Sequence, residues 1–304
     1  MSKTYTVKKE EKDFISPKFD LIGARVKIRR PNRNKHGNIV WRERFVKDSD
    51  FKVDIRRDKH GEYFDIVISD NGDNIKFNVL NVDKDIKHLL LMVKNGQEKT
   101  KILCGHDERE WFTSQVNVSS TTVKTAMDAL KPREVVSAQK KAGVKSKNLN
   151  CRHNEGFIRQ GEWFFVKQEI DVVDEDAILY NEPLILSGVR AGNKPHIAKL
   201  AYRTGGEQVY VPNVGLWGFS EFGKNGSAWR NRLERGLTEK QKTLFNQEFK
   251  SKASKIKFRP MMRNPDLYVS GTVRHPDHKT ITLNGWYRVY VNGEIRGENV
   301  VFLD

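Results

Sequence analysis

The chain has 304 residues, enough for one large domain or two ordinary ones, and its 37% hydrophobic content excludes wholesale disorder. A formal net charge of +16 and a pI near 9.7 argue against a cytosolic enzyme of small metabolites and for a polyanionic partner, nucleic acid first and an anionic membrane second. Two cysteines rule out a disulfide framework, and no apolar run approaches the roughly 18 residues of a membrane span or follows the N-terminus as a signal peptide does, so a cytoplasmic protein is expected.

Strand signals dominate the first hundred residues. "ARVKIRR" (24–30) and "IVWRERFV" (39–46) alternate apolar with basic residues around the loop "PNRNKHGN", which predicts a hairpin. "FKVDIRR" (51–57) and "EYFDIVIS" (62–69) around "DKHG" predict a second. The pattern continues through "IKFNVLNV", "HLLLMVK" and "KTKILCG" to about residue 104. From Ser120 the period changes: Val123, Ala126, Met127 and Leu130 form a helical stripe behind a Ser/Thr cap, and Pro132 opens a second short helix through Val135, Val136 and Gln139. "GVKSKNLN" lacks periodicity. The expected organisation is an N-terminal β-rich domain with a terminal helix over 1–142, a linker over 143–152 and a C-terminal β-rich domain over 153–304.

In the second half, two strands flank Gln160-Gly161, and "HIAKLAYRTGGEQVYVP" predicts a hairpin across Thr204 to Gly206. The acidic "DVVDEDAILYNEP" between them is expected to be a solvated loop. "TEKQKTLFNQEFKSK" predicts a helix with a Thr238/Gln241 capping box and an apolar face of Leu244, Phe245 and Phe249. Turn signals at Pro276-Asp277, Asn284-Gly285 and Asn292-Gly293 predict a four-strand meander at the C-terminus. The fold class is therefore α+β, predominantly antiparallel β, with a hairpin-rich N-terminal part, a C-terminal β-meander and two or three short helices.

Two basic segments carry the functional expectation. No acid occurs from Leu21 to Arg42, where Arg25, Lys27, Arg29, Arg30, Arg33, Lys35 and Arg42 surround Trp41, and strand alternation puts Arg25, Lys27 and Arg29 on one face as a stripe that can track phosphates. The second patch interleaves Arg230, Arg232, Arg235, Lys255, Lys257, Arg259 and Arg263 with Trp229, Phe258 and Met262. Guanidinium and aromatic groups together suit unstacked bases, so a nucleic-acid-binding protein with RNA or a single strand favoured is expected.

Three clusters could add chemistry. In "VRHPDHKT" a Pro-Asp turn brings His275 and His278 together beside Arg274 and Lys279, which suits a plain turn, a phosphate fork, or metal-free RNA cleavage with the imidazoles as base and acid. In "GHDEREWF", His106, Asp107 and Glu108 could hold Mg²⁺ as in a nuclease. Cys104, His106, Cys151 and His153, two Cys-x-His units, match a structural zinc set in number. The alternatives to a binding protein are thus a phosphodiesterase or nuclease acting on the bound nucleic acid, and an assembly protein with an acidic partner. No cofactor is required by the first.

Overall fold

The computed structural model describes residues 9–36, 38–39, 50–70, 72, 74–171, 175–184, 194–213, 229–230, 232–253, 256–293 and 302–303. The chain divides into two units, residues 1–164 with 277–279 and 290–295, and the remainder from residue 165. The class is α+β with predominantly antiparallel sheets. No described helix is long and apolar enough to cross a membrane.

The first unit opens with helix α1 (Lys9–Asp20), followed by strands β1 (Val26–Arg29), β2 (Phe51–Asp58) and β3 (Gly61–Ile68). β2 and β3 form the expected hairpin, in which Asp58 faces Gly61 and glycine supplies the φ of 101° that closes the turn. β1 pairs in parallel with β3, Val26 facing Phe64, and most of its expected antiparallel partner, residues 40–46, lies outside the described residues. Strands β4 (Ile75–Asp83), β5 (His88–Asn95), β6 (Glu98–Asp107) and β7 (Glu110–Val116) then make an antiparallel sheet in chain order.

"HLLL" is a continuous apolar run because β5 is covered on both sides. Leu89, Leu91 and Val93 pack into one core with Phe64, Ile66, Ile102 and the α1 residues Ile15 and Phe19. Leu90 turns to the other face with Leu103 and Val116, under helix α2 (Val123–Ala129). Thr122 caps α2 by accepting from the Thr125 amide, and helix α3 (Arg133–Lys141) follows directly after Pro132, close to where the sequence predicts it. Helix α1 was not predicted, since Pro17 sits inside it, yet Ile15, Phe19 and Ile22 keep helical spacing and are buried.

Strands β8 (Ile158–Gln160) and β9 (Trp163–Lys167) flank Gly161 as expected. They are followed by β10 (Leu179–Leu184), β11 (His196–Thr204), β12 (Glu207–Pro212), helix α4 (Glu239–Ala253), β13 (Phe258–Arg263), β14 (Asp266–His275), β15 (His278–Val291) and β16 (Phe302–Leu303). The six-stranded sheet has the order β10-β11-β14-β15-β9-β8, and a three-stranded sheet the order β12-β13-β16.

Four expectations change here. β11 and β12 are not hairpin partners: positive φ at Gly205 (69°) and Gly206 (90°) passes the chain from one sheet into the other. Asn284-Gly285 is not a turn either, because β15 runs through it as one strand and Gly285 absorbs a φ of 91° there, so Leu283 and Trp286 do not pair. Leu179–Leu184 is a strand within the supposed acidic loop. The α4 capping box forms, Thr238 N donating to Gln241 and Gln241 N to Thr238 Oγ1, but Leu244 is 56% exposed while Phe245 is buried.

Candidate nucleic-acid interface

The basic stripe of β1 is answered by carboxylates from the adjoining hairpin. Arg25 and Lys27 both bind Asp58, each at 2.8 Å, and Lys27 Nζ also lies 4.0 Å from the centre of the Tyr63 ring. The Arg25 and Lys27 hydrogen bonds hold the Asp58 carboxyl well below the usual carboxylate range. Arg29 and Arg56 share the fully buried Asp65 at 2.7 and 2.8 Å. Arg33 pairs with Asp70, and Arg30 donates to the Ser69 carbonyl. Lys35 stays exposed, and Trp41 and Arg42 lie outside the described residues. The expected stripe is thus largely spent on holding β1 to its neighbours.

The second patch is built differently. Trp229, expected to stack on bases, is buried: it packs edge-on to Phe245 at 5.3 Å and donates Nε1–H to Glu248 at 2.8 Å. Phe258 joins the same apolar cluster, so both aromatics serve the core, and an indole needs a hydrogen-bond acceptor when buried. The same unit holds a recess of about 350 Å³ lined by Arg232, Arg235, Arg263, Glu207, Gln241 and Asn264. The Arg232 guanidinium lies 4.9 Å from the Trp229 ring centre. Arg263 donates to the Arg235 carbonyl at 3.0 Å and pairs with Glu207. Because Gln241 Oε1 accepts from the Thr238 amide at 3.0 Å, its NH₂ group is left as a donor at the recess wall. Three guanidiniums thus line a recess that holds one carboxylate, Glu207, which pairs with Arg263. Arg230 pairs with Glu234, Lys257 and Arg259 are exposed, and Lys255 lies outside the described residues.

The two clusters "GHDEREWF" and "VRHPDHKT" are arranged differently from the sequence expectation. The first forms the β6–β7 turn, with Glu108 in left-handed backbone (φ 54°). Asp107 accepts from Arg152 and, at 3.1 Å, from Arg159; Glu108 pairs with Arg152 at 2.6 Å and accepts from the Lys279 amide at 2.6 Å. Guanidiniums therefore occupy the carboxylates expected to bind Mg²⁺. Burial pulls the Arg159 guanidinium and the His106 imidazole below their ordinary values, and His106 sits edge-on to Trp111 at 4.8 Å. The zinc set is also dispersed among the described residues: Cys104 is buried in the apolar core, where desolvation pushes its thiol up, and Cys151 is exposed.

At the hairpin tip, β14 ends at His275 and β15 begins at His278, so the Pro276-Asp277 turn forms as predicted. The four-residue cationic fork does not. Side chains alternate along a strand, and the exposed Arg274 and Lys279 lie on the opposite face from the half-buried His275 and His278. Arg274 reaches Asn181 Oδ1 at 3.2 Å. His275 instead meets His196, which sequence reasoning missed: β11 pairs with β14 so that Ile197 faces Arg274, and the His196 and His275 rings stack at 4.2 Å. Nothing in "NKPHIAKL" marks His196; only strand pairing does.

Comparison with protein-family models, with curated proteins and with solved structures finds no match for the chain.

Proposed function

We propose that this protein binds nucleic acid through phosphate contacts at the arginine recess of its second unit, with single-stranded RNA favoured. The observation that carries this reading is the grouping of Arg232, Arg235 and Arg263 around a recess of about 350 Å³ with Glu207 as the one carboxylate among its lining residues. Guanidinium forks match phosphate oxygens geometrically, and the excess of +16 over the whole chain raises the local concentration of any polyanion. A single strand can bend its backbone into a recess, whereas a duplex meets it as a stiff rod. Base stacking contributes little, since Trp229 and Phe258 are committed to the core.

Titration of the full chain with a single-stranded RNA and a duplex DNA across a salt series tests this. If about three phosphates are neutralised, log K for the single strand falls with log[salt] at a slope near −2, and the RNA binds more tightly than the duplex. Absence of binding to either at low salt overturns the reading.

A further inference from the structure

Resting on the nucleic-acid reading above, we infer that the arginine recess selects the end of a strand, binding a terminal phosphate monoester in preference to internal phosphodiesters. Charge is one reason. Among the described lining residues three guanidiniums stand against one carboxylate, a surplus of two positive charges that hydrogen bonds within the wall do not alter. A phosphate monoester carries about −1.5 to −2 at pH 7 and presents three acceptor oxygens, whereas each internal diester carries a single charge on two such oxygens. Size is another. About 350 Å³ lies at the lower end of the roughly 300–1,000 Å³ typical of small-ligand sites, which suits one terminal nucleotide and not a run of backbone.

The wall is built before any ligand arrives. Arg263 Nη1 donates to the Arg235 and Gly236 carbonyls at 3.0 and 3.4 Å while Nη2 pairs with Glu207, so one guanidinium ties β12, β13 and the turn at 235–236 together. Tyr210 and Leu237 exchange backbone hydrogen bonds of 2.7 and 2.9 Å, which holds that turn beside β12, and Gly236 supplies the φ of 75° it needs. The Arg232 guanidinium lies against Trp229, whose ring is itself fixed by Phe245 and Glu248. Donors held in this way lose little freedom on binding, so affinity concentrates on a ligand whose oxygens match them. A terminal phosphate has one ester bond and brings one length of chain past the rim. An internal phosphate must bring two.

The test measures the affinity of the full chain, by competition against an internally labelled RNA, for one single-stranded RNA sequence prepared with hydroxyls at both ends, with a 5′-phosphate, with a 3′-phosphate and as a closed circle. At least one phosphorylated form should bind about tenfold more tightly than the hydroxyl-ended and circular forms, which should agree with each other. That advantage should shrink below about pH 6, where the monoester dianion takes up a proton while the guanidiniums stay charged. Arg232→Gln and Arg235→Gln should each reduce it by about threefold while circular dichroism shows the fold intact. Arg25→Ala with Lys27→Ala, in the first unit, should leave the ratio between forms unchanged. Equal affinity for all forms overturns the inference and leaves the proposed function standing, whereas no binding of any form overturns both. A nucleoside monophosphate that binds as tightly as the phosphorylated RNA also overturns it, since the strand would then add nothing.

Discussion

Two segments of this chain carry the same sequence signature, a run of arginine and lysine with interspersed aromatics, and the fold treats them in opposite ways. Around β1, two acids brought up by the β2–β3 hairpin each serve two cations: Asp58 takes Arg25 and Lys27, and Asp65 takes Arg29 and Arg56. Around the start of β12 and the end of β13, three arginines line one recess whose lining holds a single carboxylate, Glu207, paired with Arg263. A basic run thus says how many charges a segment brings, not how many remain for a ligand. What decides is whether the paired strand supplies acids. Asp65 lies opposite Lys27 in the parallel pair β1–β3, whereas β13 meets mostly uncharged residues of β12.

The largest effect that sharpens this contrast is on stability. Asp65 is fully buried between two guanidiniums, so Asp65→Asn leaves Arg29 and Arg56 without their shared counter-charge. Breaking a buried pair by removing one partner costs about 3–5 kcal/mol, and the lower end applies because both arginines retain some water. Urea unfolding should show a loss of about 3 kcal/mol with an unchanged m-value. A loss below about 1 kcal/mol would mean that these cations behave as surface charges, and the contrast with the recess would disappear.

The strand and hairpin content was legible because alternation and turn chemistry are local. "DKHG" closes β2–β3, the apolar triplet in β5 marks a strand covered on both faces, and Thr238 with Gln241 caps α4. Turn dipeptides misled where tertiary pairing overrode them. Asn284-Gly285 is a strong hairpin signal, yet β15 continues through it because neighbours on both sides, β14 and β9, hold it extended. The site was less legible, since its parts are joined by register: His196 is separated from His275 by most of the second unit, and Arg152 and Arg159 reach Asp107 from beyond α3. Charge spacing along the chain does not encode which acids meet which bases.

The next effect is on affinity. Arg232→Ala with Arg235→Ala removes two guanidiniums from the recess, and RNA binding at about 0.1 M salt should weaken by about an order of magnitude, with the salt slope shallower by about 1.4. Arg25→Ala with Lys27→Ala deletes as many charges, but ones that Asp58 already engages, and should weaken binding by less than about threefold. Equal losses in the two double variants would place the β1 stripe in the interface and remove the distinction between the regions.

The smallest effect concerns Asp58 and acts in two directions. Hydrogen bonds from Arg25 and Lys27, and then from the His60 amide, hold its carboxyl well below the ordinary value. A carboxylate depressed on folding adds stability that is present above its unfolded value, near 3.9, and is lost as pH falls through that value toward the folded one. Asp58→Asn lacks this contribution, so its stability should fall less steeply than that of the wild type below about pH 4, and the two proteins should converge in acid. The carboxylate keeps partial contact with water, unlike the fully buried Asp65, so the difference at neutral pH is expected to be small beside that of Asp65→Asn. The same substitution releases Arg25 and Lys27 from their counter-ion. RNA affinity should therefore rise, by about twofold at low salt, turning part of the spent stripe back into a phosphate-binding one. A fall in affinity would show that the ion pair orients these cations for the ligand and does not merely consume them.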